Sequence, residues 1–436
     1  MSILNVNKIN PVGGGSTITI AGIASVTNNI SVGNSVTAGS FVGPIEGAVT
    51  GNVTGNVTGN VTGDATGLSG NPSINTTGIV TATSFVPTVG QLSHRNIIVN
   101  GAMNVAQRGT SATGKTTTGV YSTDRMNLTI GSAGTWTVSQ DSDSPNEFVK
   151  STKFQCTTAN ASLGTGAFLL LGYRLEGHDV QSLAKGTSSA KTFTVSFHVK
   201  SNKTGTYILG VNDRDNSRNN SKSYTINVAN TWEKKTITFE ADTSGALDDD
   251  ANESLRLDFW LGAGTNFTSG SAVTGWESNT NANRAKNLSV NLADNTANNW
   301  YITGLQLEVG SVATPFEHRS FADEIQRCQR YYEKSYKYVD APGTSTDSGS
   351  VMFLTNRSPG TAHTMLRYMT RKRAAPTLVS YDSTQSNTTG MRNLDANATY
   401  NYSMNRNGET GCTAYPSGSL NLGQFIQFHY TADAEL

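Results

Sequence analysis

The amino-terminal part of the chain alternates apolar and polar positions with a period of four. Over 47–70 it reads GAVTGNVTGNVTGNVTGDATGLSG, so Val49, Val53, Val57 and Val61 recur at every fourth residue. On an α-helix a four-residue step drifts about 40° per repeat, and a glycine in each repeat costs roughly 1 kcal/mol. On a β-strand four is a multiple of two, so the valines share one face while Asn52, Thr54, Asn56 and Thr58 line the other. One such ribbon buries too little to offset an ordering cost of about 1–2 kcal/mol per residue. Sister chains alongside would hide the valine seam and pair the open edges, with glycine allowing close approach. The pattern therefore predicts an extended β-repeat stalk in a parallel homo-oligomer, most simply a trimer. Ile18-Thr19-Ile20, Ile30-Ser31-Val32 and Ile79-Val80-Thr81-Ala82-Thr83 carry a similar signature to about Val89. A disordered Gly/Thr-rich linker is the competing reading, and the regular period argues against it.

Further along, the period shortens to two and large side chains appear. All five tryptophans fall between 136 and 300. Phe193, Val195, Phe197 and Val199 alternate with polar residues, as do Leu255, Leu257, Phe259 and Leu261; short strands of this kind between turn-rich stretches predict an antiparallel β-sandwich. Residues 300–310 read as its last strand. At Ser320 the period changes again: a capping serine, Asp323 and Glu324 in the first turn, and Phe321, Ile325, Cys328 and Tyr332 at helical spacing predict one amphipathic helix over about 321–336. The expected fold class is mainly β, with a stalk over 1–92, a sandwich over 93–316 and a small carboxy-terminal β-domain with one helix over 317–436.

Composition narrows the function mostly by exclusion. The formal net charge is +0 and 15% of the 436 residues are charged, which argues against a nucleic-acid partner. Three well-separated cysteines, Cys156, Cys328 and Cys412, give neither a disulfide framework nor metal-ligand spacing. No apolar run reaches the length of a membrane span, and the start lacks a signal-peptide pattern, so synthesis in a cytoplasm without membrane insertion is expected.

Several motifs carry a family resemblance. Arg95-Asn96-Ile97-Ile98-Val99-Asn100-Gly101-Ala102-Met103, Gln107-Arg108-Gly109-Thr110, Tyr121-Ser122-Thr123-Asp124-Arg125-Met126, residues 231–239 and the Leu-x-Leu-x-Phe strand resemble jelly rolls of carbohydrate-binding modules and of bacteriophage tail-fibre proteins, with Met126 standing where tryptophan would be expected. QLEVGSVATPFEHRSFADEIQRCQRYYEKSY, MTRKRAAPTLVSY and TADAEL closely resemble the carboxy-terminal half of bacteriophage and prophage tail-fibre proteins. The resemblance implies a structural virion protein, a tail fibre made in the host cytoplasm. Its amino-terminal segment would join baseplate or other tail proteins, and its folded part would meet a host surface glycan.

Trp260, on the strand face opposite the leucines, and Trp276, in a Gly- and Ser-rich run, are the candidate carbohydrate-stacking residues; packing under a loop or against a neighbouring subunit is the alternative for each. Arg367, Arg371, Lys372 and Arg373 could meet anionic lipopolysaccharide or form a solvated strand edge. Residues 109–116 match the phosphate-loop pattern, but no helix start follows. Asp213-Arg214-Asp215-Asn216-Ser217 begins like a calcium loop and fails at Arg218 and Tyr224, and Asp248-Asp249-Asp250 could ligate calcium or form a solvated turn, the turn being the favoured reading. No catalytic constellation, cofactor site or metal site is expected. An architectural baseplate or collar adaptor and a polysaccharide depolymerase are the other function classes.

Overall fold

A computed structural model describes residues 93–355, 363–418 and 420–436. The stalk and attachment segment expected over 1–92, and with them the oligomer inferred from the valine seam, lie outside the described residues.

Twelve strands within 111–309 form two six-stranded antiparallel sheets. The first runs β1 (Ser111–Lys115), β3 (Thr135–Asp141), β4 (Ser151–Thr158), β12 (Asn299–Val309), β6 (Phe193–Ser201) and β9 (Glu233–Phe239). The second runs β11 (Glu277–Ser278), β8 (Arg218–Ile226), β7 (Gly205–Asp213), β10 (Glu253–Ala263), β5 (Phe168–Glu176) and β2 (Asn127–Gly131). From β4 to β7, and again from β8 to β10, the chain crosses between the sheets at each step, the double-sheet wrapping of a jelly roll. A short helix, α1 (Gly177–Val180), follows β5, and another, α2 (Thr265–Thr268), follows β10.

The predicted alternation is what fills the sandwich. Phe193, Val195, Phe197 and Val199 from the first sheet meet Leu255, Leu257, Phe259 and Leu261 from the second in one buried cluster, with Trp136 and Trp300. Met126 sits in the same core, fully buried. In β12, Gly304 takes a φ of 62° at a register shift between Thr303 and Gln306. That bulge resets the pleat, so that Ile302 and Leu305, three residues apart, both face inward. The 96–101 motif lies against the bulge: Ile97 N–H donates to Leu307 O at 3.0 Å and Leu305 N–H to Gly101 O at 2.9 Å. A Cβ at Gly101 would stand 2.1 Å from the Leu305 carbonyl oxygen, so only glycine fits there. Residues 111–115 of the phosphate-loop match form an edge strand.

The carboxy-terminal region has a second core. β21 (Phe425–Asp433) is its spine, flanked by β13 (Tyr332–Lys334), β14 (Val351–Leu354), β16 (Thr377–Tyr381) and β17 (Met391–Asn393), which pairs on to β18 (Ala398–Tyr400). A three-stranded sheet of β15 (Thr364–Arg367), β20 (Gly411–Pro416) and β19 (Tyr402–Asn405) packs with it around Leu366, Met391, Ile426 and Phe428.

Helix α3 (Phe321–Gln329) starts as expected, the Ser320 hydroxyl accepting from Asp323 N–H at 3.2 Å. It stops at Gln329, where the periodicity predicted continuation to about 336. Tyr332 instead enters β13 opposite Asp433, because pairing with β21 supplies backbone partners that override the local helical pattern.

The motifs that carry the family resemblance converge where this region docks on the sandwich. Gln107 donates to Tyr332 O at 2.8 Å, the Arg330 guanidinium grips the Glu176 carboxylate at 2.5 and 2.8 Å, and Arg125 lies 3.4 Å from the Tyr331 ring centre while pairing with Glu435. Two residues of the basic run expected at the surface are structural. Lys372 is fully buried against Glu333, and Arg373 donates to the carbonyls of Ala434, Glu435 and Ala251. Arg367 and Arg371 stay exposed, the latter beside Glu409. No helix among the described residues is long and apolar enough to cross a membrane.

Candidate functional site

The outer face of the second sheet is the part of the sandwich that has chemistry to offer. One cross-strand row runs Thr129, Leu170, Trp260, Ile208, Ser223 through β2, β5, β10, β7 and β8. At about 4.8 Å per strand the row is roughly 19 Å long. The segment after β10, from α2 to about Leu288, folds back over its middle and buries Ala285 against Leu170, Ile208 and Trp260. Two clefts are left, one on each side of this ridge.

The first cleft has a volume of about 200 Å³ and is lined by Thr129, Phe168, Leu170, Trp260 and Phe267, with Arg256 and Arg284 at its rim. Both guanidiniums are held by one fully buried carboxylate, Asp258, at 2.9 and 2.7 Å, and Asn212 donates to the same group at 2.7 Å. The Asp258 charge raises the Arg256 pKa further above its ordinary value, against the opposing effect of burial, so the guanidinium stays charged. Neither Trp260 Nε1 nor Arg284 Nε, both shut away from solvent, has a hydrogen-bond partner among the described residues. Buried polar groups of this kind call for ordered water or a ligand. Gly210 keeps the indole edge clear, since a Cβ there would lie 3.6 Å from Trp260 Nε1 and 3.2 Å from Ser221 Oγ.

The second cleft, about 310 Å³, has Ile208 at its floor, Ala272 and Val273 on one wall, and Ser221, Ser223, Asn283, Lys286 and Asn287 around it. Lys222 is on its border too, but its ammonium turns the other way, donating to Thr238 O at 2.7 Å and pairing with Glu240.

The two tryptophans expected as stacking platforms are placed differently. Trp260 is 1% exposed, with the Phe267 ring at 5.2 Å and Arg284 over its face at 5.2 Å. The open indole face expected there is covered by the returning segment, and what Trp260 provides is the wall between Leu170 and Ile208. Trp276 is half-buried at the sheet edge, donating from Nε1 to Glu240 O at 2.8 Å beside Lys185 and Phe193. It lines neither cleft. Arg256, Arg284, Lys286 and the serines of β8 were missed in the sequence. The alternation of Ser221, Ser223 and Thr225 with Tyr224 and Ile226 was the one available signal, a strand with a polar outer face.

The acidic motifs are structural. Asp213 closes the β7–β8 turn, accepting from Asn216 N–H at 2.9 Å and pairing with buried Lys185 at 2.5 Å. Among the described residues no group of three His, Cys, Asp or Glu side chains could hold a metal ion. Cys156, Cys328 and Cys412 are buried free thiols whose pKa values burial pushes up, which makes them poor nucleophiles.

No family model matches this chain, and no curated protein does. Among solved structures it is similar to the enzymatically active domain of tailspike protein 4 of bacteriophage CBA120, at 12% identity and a TM-score of 0.25, over 49% of this chain and 21% of that one. It is also similar to the CBM22-1 xylan-binding domain from Paenibacillus barcinonensis, at 12% identity and a TM-score of 0.24, over 52% of this chain and 100% of the other. The family 11 carbohydrate-binding module from Clostridium thermocellum, solved in complex with a mixed-linked tetrasaccharide, matches at 13% identity and a TM-score of 0.24, over 47% of this chain and 99% of its own. The chain spans about a fifth of the tailspike structure that it matches.

Proposed function

We propose that this chain is a non-enzymatic structural protein of a tailed-bacteriophage tail fibre, and that its sandwich recognises a host surface polysaccharide in the two clefts of the second sheet. The observation that carries the reading is the make-up of those clefts. Each sets an apolar floor, Leu170 with the Phe168 and Phe267 rings or Ile208 with Val273, beside hydroxyl, amide or guanidinium groups. A sugar ring presents the same combination, an apolar C–H face and a rim of hydroxyls. The clefts are aligned along one row of the sheet, which suits a linear chain more than a single small molecule. The tail-fibre assignment comes from the motifs over 95–126 and 300–436.

In this reading the stalk over 1–92 assembles copies in parallel, most simply three, and joins them to the virion tail. Many weak contacts then act together, since linked sites gain affinity from effective concentration. Asp258 supports a binding role over a depolymerase one. Its carboxylate is committed to Arg256, Arg284 and Asn212, an arrangement that positions donors and leaves no free acid–base pair of the kind glycoside hydrolysis needs.

The test is binding of the purified full-length chain to host cells, with competition by isolated host polysaccharide and with Arg284→Ala as the cleft variant. Binding that the polysaccharide competes and that Arg284→Ala weakens is expected. Shortening of the polysaccharide would establish the depolymerase reading instead, and attachment to tail proteins with none to cells would establish the adaptor reading.

A further inference from the structure

Away from those clefts, a depression of about 240 Å³ opens where the 94–97 segment, the α1 region and α3 meet. His94, Arg95, His178, Asp179, Arg319 and Arg327 line it, with Ser182 and the apolar Ile97 and Val309. Cations predominate, and the question is which of them are free to act.

Arg319 is spent on structure. Its guanidinium donates to the carbonyl oxygens of Ile98 and Asn96 and stands 3.6 Å from Glu324 and 3.9 Å from Glu317. Arg327 is different: its partner Asp323, one turn back on α3, is 3.1 Å away, and the two side chains are 37% and 43% exposed. A surface pair of that kind is worth little and yields readily to a better partner. Arg95 has only a 3.4 Å contact from Nη2 to Pro315 O, and its Nε is closed off from solvent with no partner among the described residues. The one carboxyl in the lining is Asp179, whose pKa burial and the neighbouring Glu176 raise against the pull of Arg125 and Arg330; its Oδ2 takes a 3.4 Å contact from Tyr331 Oη. His178 is half exposed and tied to Asp249 at 2.9 Å.

We propose that this cleft binds the oxyanion of a small ligand, a phosphate or carboxylate carried on a unit the size of one sugar residue. Arg95 and Arg327 are its donors, because a guanidinium presents paired N–H groups that match both oxyanions. Ile97 and Val309 lie under the apolar part of the ligand, and the Ser182 hydroxyl is at hand for a ring hydroxyl. The site is separate from the clefts of the second sheet and does not depend on their reading.

The experiment is calorimetric titration of the full-length chain with glucose 1-phosphate, glucuronate, inorganic phosphate and glucose, at low and high salt. The anionic sugars are expected to bind, more weakly at high salt, and glucose is not. Whether the phosphate or the carboxylate binds more tightly identifies the source of the oxyanion. Arg327→Gln and Arg95→Gln should each weaken binding about tenfold, the loss of one charge-assisted contact, whereas Arg284→Gln in the sheet cleft should leave it unchanged. Arg327 lies on the exposed side of α3, so its variant tests the site even if Arg95→Gln fails to fold. Equal binding of glucose, no binding of either anionic sugar, or binding untouched by Arg327→Gln overturns the proposal. Inorganic phosphate binding as tightly as the sugar phosphate overturns its sugar-sized part. Loss of host-polysaccharide binding with this result intact would sink the proposed function alone.

Discussion

Replacing Lys372 with methionine should destabilise the carboxy-terminal region far more than the loss of one surface lysine could. Lys372 and Glu333 are 0% and 1% exposed at the side chain, with Nζ 2.5 Å from the carboxylate. The ammonium also donates to Gln329 O, while Glu333 accepts from Tyr430 Oη at 2.9 Å and from Met369 N–H at 3.0 Å. Burial lowers the Lys372 pKa, against the opposing pull of Glu333, so the pair is held together against a real desolvation cost. Methionine fills much the same volume and leaves Glu333 buried without its cation. Removing one member of a buried pair costs about 3–5 kcal/mol, a large share of the ~5–15 kcal/mol that keeps a typical domain folded. Urea unfolding at neutral pH, followed by tryptophan fluorescence for the sandwich and by circular dichroism for the whole, would read the loss as a lower midpoint. Lys372→Met with Glu333→Gln should recover much of it, because the uncompensated charge is then gone. A single variant costing less than about 1 kcal/mol, or a double variant no better than the single, would refute the reasoning.

Two further outcomes follow from the same kind of geometry. Glu435→Gln removes the carboxylate paired with Arg125, 2% exposed at the side chain, and one of the three carboxylates around Arg108, the others being Asp433 and Asp124; a loss of about 3 kcal/mol is expected, seen as a lower thermal midpoint and as faster proteolysis after residue 316. Glu233 titrates about the loop at 227–235. Burial pushes its carboxyl up, but hydrogen bonds from Lys235, Val228 and Asn227 outweigh this and hold it at about 2, below its ordinary 4.5. Its contribution to stability is therefore complete above pH 4.5 and lost as pH falls towards 2. Glu233→Gln should be less stable than the parent at pH 6, and the two should converge in acid; a constant gap across that range would show that the carboxylate's charge is not what matters.

Much of this architecture is written in local patterns, which are decided within a few residues. Period-two alternation at 193–199 and 255–261 marks strands whose inward faces do meet in the core, because side-chain direction along a strand is fixed by the pleat alone. Ser320 caps its helix for an equally local reason, an oxygen within reach of an orphan N–H. The tertiary structure decided the rest. Helix α3 ends early since Tyr332 finds Asp433 far along the chain, and Lys372 and Arg373 of MTRKRAAP read as basic surface until Glu333 and the last residues of the chain are seen to take them in. Trp260 lies on the face opposite the leucines, as the alternation predicts, yet whether that face is open depends on where α2 and Ala285 fold back. The floor joining Thr129, Leu170, Trp260, Ile208 and Ser223 has no counterpart in the linear order. Hydrogen-bond register between five strands brings these residues into line, and register is a property of the assembled sheet, held by the packing of its other face.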